Sequence, residues 1–170
     1  INLKLRELGY TSSIEEAIVL AQSSGVPAQN FVVGDKNGRI AWTIAGLIPK
    51  RSNNYDPTIP ADWSTANTGW QGWLETSQYP LIIDPPSHRL WTANSRIIAN
   101  SSPDLLGDGG YDIGARAKQI RDNLYEREQF TTADMMTIQL DHRALFLARW
   151  HRLLETMLSQ NSNESPWHYE

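Results

Sequence analysis

Asn94 is the residue whose type fits its place least. It follows Leu90-Trp91-Thr92-Ala93, a run suited to a pleated surface. With Ser95 and Arg96 it closes the segment in three hydrogen-bonding side chains. Asparagine is depleted in strands, so at a strand end it is either a turn residue or an amide aimed at something. An aimed amide can donate to developing negative charge, as an oxyanion-stabilising group does.

The other reactive side chains offer less. The histidines, His88, His142, His151 and His168, form neither HExxH nor a paired HxxxH, which argues against a zinc hydrolase. Ser95 has no base near it in sequence, and no G-x-S-x-G elbow is present. The carboxylates are scattered and select no acid/base pair. Cysteine is absent, which removes disulfides, thiolate nucleophiles and zinc-thiolate sites together. Leu106-Gly107-Asp108-Gly109-Gly110 lacks the order of a phosphate loop, and Asp108 and Asp112 do not follow the calcium-loop order. Arg116 sits among Gly114, Ala115 and Ala117. Neighbours that small let a guanidinium lie against backbone or another side chain; the alternative is a solvated surface arginine.

These residues need elements to hold them. Ser13-Ile14-Glu15-Glu16 is a capping-box pattern, and Ile14, Ala17, Ile18 and Ala21 follow at helical spacing, which predicts a helix near 13–24. Asn30 to Asp35 and Arg39 to Ile44 are strand runs around Lys36-Asn37-Gly38, a strong hairpin turn. Residues 50–88 are punctuated by prolines and read as loop, with Trp63, Trp70, Trp73 and Tyr79 as anchors. A strand is expected over 89–94. Helical periodicity then predicts a helix from Asp112 to about Arg127, and a second capped by Thr131 or Thr132. A long amphipathic helix follows over 144–159, then a polar tail.

The 170 residues fit one domain over 1–170 with a sizeable core. Strands and loops in the first half and helices in the second argue an α+β (layered α/β) fold. The net charge of -4, without a basic block, argues against nucleic acid or an anionic membrane surface as a partner. No apolar run approaches a membrane span.

Several segments, in order, resemble the penicillin acylase (penicillin amidase) family of N-terminal-nucleophile hydrolases. They are Pro27 to Asp35, Asn37-Gly38-Arg39-Ile40-Ala41-Trp42, Ala45 to Arg51, Trp70-Gln71-Gly72-Trp73, Tyr79-Pro80, Trp91 to Arg96, Ala115-Arg116-Ala117 and Phe130 to Met135. Each alone is weak; their joint order covers nearly the whole chain.

The resemblance implies an αββα fold and a precursor that cuts itself to expose a serine at the start of its β chain. The α-amino group of that serine is the general base, and catalysis passes through an acyl-enzyme. An asparagine side chain and a backbone N–H stabilise the oxyanion; the asparagine matches Asn94. An arginine further along supports the site, and Arg116 stands at the matching spacing. Gln29, just before its strand, is expected to approach the acyl pocket and make it less apolar. The family often carries structural calcium, and Asp56 and Asp104 fall in regions resembling contributors to it. No cofactor is expected in this chain, only Ca2+ in a full-length parent.

The resemblance implies that the matching serine belongs upstream of Ile1. The chain therefore reads as an internal fragment of a β chain, inactive alone, with a small acyl amide and the remaining chain segments of the parent as its partners. Family resemblance places the parent in the periplasm or outside the cell. The competing reading is a non-catalytic module whose tryptophans bind carbohydrate or peptide. Exposed, coplanar rings would favour that reading, and buried rings around an amide donor would favour the enzyme.

Overall fold

The computed structural model describes residues 2–52, 56, 59–65, 68–97, 103–107 and 110–160. Two compact units divide the chain, Ile1–Gly114 and Ala115–Glu170. The division falls where strand and loop patterns give way to helical ones.

The first unit begins with a short 3-10 segment, Lys4–Tyr10, and the helix α1, Ile14–Gln22. Ser13 is its N-cap, with Oγ accepting from Glu16 N at 3.3 Å. The Glu16 carboxylate reaches one residue further back than a capping box requires, to Ser12 N at 2.8 Å. Ile14, Ala17, Ile18 and Ala21 form the buried face. The helix ends as Ser24 Oγ donates to Ala21 O at 2.7 Å, before Gly25 and Pro27.

Strands β1 (Gln29–Gly34) and β2 (Ile40–Ala45) pair antiparallel, with Asn30 opposite Ile44 and Val32 opposite Trp42. Asp35 organises their turn, accepting at Oδ1 from Asn37 N and Arg39 N, while Gly38 supplies a positive φ of 81°. A third strand, β5 (Leu81–Ile83), pairs on the other side of β2. β2 is thus central and buried on both faces. Trp42 and Ile44 pack with Ile48 and Tyr79, while Ala41 lies against Ile14 and Ile18 of α1.

Polar side chains lock these layers. Buried Gln22 donates to Thr43 Oγ1 at 2.9 Å, and Thr43 Oγ1 donates to Pro80 O at 2.8 Å. The Tyr79 hydroxyl donates to Gly46 O at 2.9 Å and accepts from Ile48 N at 3.0 Å. Arg39 bridges Glu15 and Asp84. Asp84 also accepts from Ile40 N at 3.0 Å; that bond first, and the guanidinium second, hold its carboxyl below the usual carboxylate range.

Within the loop-rich residues 50–88 lie short strands: β3 (Pro49–Arg51) pairs with β4 (Trp70–Trp73), and β5 completes the larger sheet. One expectation is corrected here. Residues 89–94 form no strand. Leu90 to Ala93 is irregular backbone, and Asn94-Ser95 is a bend. β2 already has a partner on each side, so the run finds no edge there. Its strand-like composition reflects packing instead, with Leu90 against the Trp42 cluster. A four-residue helix, α2 (Pro103–Leu106), follows.

The second unit is helical: α3 (Ala115–Leu124), α4 (Thr132–Gln139) and α5 (Ala148–Gln160). Thr131, rather than Thr132, caps α4 in a reciprocal box with Asp134. The long helix expected over 144–159 is broken into a 3-10 turn at Leu145–Leu147 followed by α5.

Asp141 ties this unit together. Arg143 grips its carboxylate through Nε at 2.8 Å and Nη2 at 2.9 Å. From α3, Gln119 and Asn123 donate to the same group at 2.8 and 2.9 Å. The Arg143 side chain first, then Asn123 and Gln119, hold this carboxyl far below its ordinary pKa. No helix among the described residues is long and apolar enough to cross a membrane.

Candidate functional site

Asn94 is held from its backbone. The carbonyl before it, Ala93 O, accepts from Asn30 Nδ2 at 3.2 Å. Its own carbonyl accepts from Asp112 N at 3.0 Å. Ser95, the next residue, is buried. The bend is therefore fixed by isolated hydrogen bonds from distant segments, where a strand would have used a ladder.

Asn94 lines a cavity of about 350 Å3 within the first unit. Gln29 and Asn30 of β1 line it as well, with Arg51, Ser95 and Tyr111. Trp42, Ile44 and Ile48 give it an apolar wall continuous with the core. The structure thus brings Gln29 and Asn94 to one cavity. Amide groups and a guanidinium on an apolar wall suit a partner that carries or develops negative charge.

Arg51 reaches this rim from β3. Its Nη1 donates to Leu105 O at 3.4 Å, and Gly107 lies against the guanidinium. Arg96 stands over the Tyr111 ring with its guanidinium carbon 5.4 Å from the centroid.

Arg116 belongs to the second unit. It stands in the first turn of α3 and lines a cavity of about 620 Å3 with Gln119, Ile120, Asn123, Asp141 and Arg143. Arg116, Gln119, Ile120 and Asn123 recur at helical spacing, so the face that carries Arg116 also grips Asp141.

The side chain of Asp104 lies outside the described residues. Among the described residues no three acidic or histidine side chains converge.

The tryptophans are exposed but not coplanar. Trp63, Trp70 and Trp73 are 57%, 55% and 50% exposed. Their ring planes cross at 76° for Trp63 and Trp70 and at 50° for Trp70 and Trp73. Crossed rings give no flat platform for a sugar face.

Sequence reading gave Asn30 and Arg51 no role, although both stand in the segments quoted above. The signal for Asn30 was the one that marked Asn94: asparagine inside a strand run has no propensity reason to be there.

Comparison with known proteins agrees with this architecture. A profile of the penicillin amidase family matches residues 3–168. The chain belongs to the penicillin amidase family. It is 30% identical over 155 residues to the penicillin acylase 2 proenzyme of Pseudomonas sp. (strain SE83), covering 88% of this chain and 20% of that protein. It is 23% identical over 149 residues to the acyl-homoserine lactone acylase QuiP of Pseudomonas fluorescens, covering 88% of this chain and 18% of that one. The thermostable penicillin G acylase from Alcaligenes faecalis superposes with a TM-score of 0.62 at 17% identity, over 78% of this chain and 23% of that structure. The fold is accordingly the mixed α and β arrangement of an N-terminal-nucleophile hydrolase. The chain spans about a fifth of the length of the curated relatives it matches.

Proposed function

We propose that this chain is part of an amidohydrolase that cleaves a linear amide between an acyl group and an amine. The observation that carries the reading is Asn94, on a bend pinned at both flanking carbonyls and opening on a cavity shared with Gln29.

In this reading an N-terminal serine, supplied by sequence outside the chain, attacks the amide carbonyl and its own α-amino group takes the proton. The carbonyl oxygen gains negative charge as the tetrahedral intermediate forms. The Asn94 carboxamide donates to that oxygen, and a backbone N–H outside the chain is the second donor. Collapse expels the amine and leaves an acyl-enzyme, which water resolves. Arg116 supports the site as a cation, and Gln29 faces the acyl group. These assignments come from the family pattern together with the placement of Asn94 and Gln29 beside one cavity. Calcium belongs to the parent in this reading, with the regions of Asp56 and Asp104 as contributors to its site, and no step here uses it.

The chain is in this reading an internal piece of a self-processed β chain, working in the periplasm or outside the cell with the remaining segments of its parent. The 170-residue chain alone shows no amide hydrolysis. Turnover by the purified chain would refute that.

In the full-length parent, Asn94→Ala lowers kcat about a hundredfold to a thousandfold, the loss of roughly 3–4 kcal/mol of transition-state stabilisation expected for one oxyanion donor. An unchanged kcat rejects the assignment.

A further inference from the structure

Asn30 bridges three parts of the first unit with one carboxamide. Its Oδ1 accepts from Trp42 Nε1 at 3.0 Å, and its Nδ2 donates to Ala93 O at 3.2 Å. The indole N–H can only donate, so the amide oxygen must face Trp42 and the NH2 group must face Ala93. The amide orientation therefore has one solution. Trp42 is itself buried, 3% exposed and packed with Ile44, Ile48 and Tyr79. A rigid path runs from the core indole through the Asn30 amide to the carbonyl that precedes Asn94.

Asn94 needs such a path because its segment belongs to no sheet. Ala93 O is held by Asn30 and Asn94 O by Asp112 N, so the peptide groups on both sides of Asn94 are held in place. Side-chain aim follows from backbone orientation, and an oxyanion donor loses its effect when its support loosens by about 1 Å.

We propose that Asn30 is a positioning residue for the oxyanion donor: through Ala93 O it sets the direction in which Asn94 projects its amide. The proposal rests on the reading of Asn94 given above.

The test is Asn30→Asp in the full-length parent. The replacement keeps the shape and the acceptor for Trp42 but turns a carboxylate oxygen toward Ala93 O, where two acceptors repel. With the introduced carboxyl ionised, kcat falls about tenfold while KM stays within about twofold. A kcat unchanged by Asn30→Asp overturns the proposal.

The same substitution made on Asn94→Ala slows the enzyme no further, because the group it aims is gone. Losses that multiply in the double variant also overturn it. Should the aspartate variant not accumulate as folded, processed enzyme, Asn30→Ala enters the same cycle: about tenfold on the parent and no effect on Asn94→Ala. A silent Asn94→Ala is a different result, rejecting the oxyanion assignment itself.

Discussion

Arg51 reaches Leu105 through a gap that a methyl group would close. A Cβ at Gly107 would stand 2.7 Å from the guanidinium, and Gly107 has a φ of +73°. Gly107→Ala therefore meets both a clash and a backbone penalty, and is expected to cost about 1–3 kcal/mol. Gly46 is more constrained, at φ +89° with Val26 O 2.2 Å from the same hypothetical atom, and backbone cannot swing aside as a side chain can. Gly46→Ala should destabilise more than Gly107→Ala in urea melts; the reverse order would reject this account.

At the site, the sequence marks Asn94 through an expected strand end, and the structure puts it instead on a bend beside a cavity. Asn30 carries the same oddity of composition, but its partner Ala93, sixty-three residues away, meets it only in the folded chain.

At the scale of elements, local rules succeeded where an element carries its own instructions. The Ser13 cap and the Asn37-Gly38 turn are such cases, and α1 and the β1–β2 hairpin stand where those residues put them. Ser13→Ala should cost about 1 kcal/mol in the first unit. Local rules failed where pairing decided. Leu81-Ile82-Ile83 is short and sits among prolines, yet it takes the free edge of β2. Leu90-Trp91-Thr92 has a comparable strand composition and takes none.

The helical unit makes its own prediction through Asp141. A carboxyl whose pKa is depressed on folding stabilises the fold above its unfolded value, near 4, and that contribution is lost as pH falls toward the folded value. Asp141→Asn should therefore lower the helix melting temperature by several degrees at neutral pH. The gap from the parent should narrow in acid, because the parent then loses the same charge. A gap independent of pH would show that the charge of the clamp contributes nothing.

At the scale of the whole molecule, burial is uneven. β2 is buried along nearly its entire length, whereas α5 buries none of its residues. Amide hydrogen exchange should follow that contrast, with β2 the most protected element and α5 exchanging orders of magnitude faster. Equal protection would contradict it. Apolar side chains are left in water on α5, Trp150, Leu153, Leu154 and Met157 among them.

The three crossed tryptophans also make the protein its own optical probe. Trp42 sits in the core, while Trp63, Trp70 and Trp73 face solvent, as Trp150 of α5 does. Iodide in the cuvette will reach the exposed rings and not Trp42, so one emission spectrum separates a blue, unquenched component from a red, quenchable one. If further polypeptide settles over the three crossed rings, the red component will lose part of its sensitivity to iodide, the part that remains being that of Trp150.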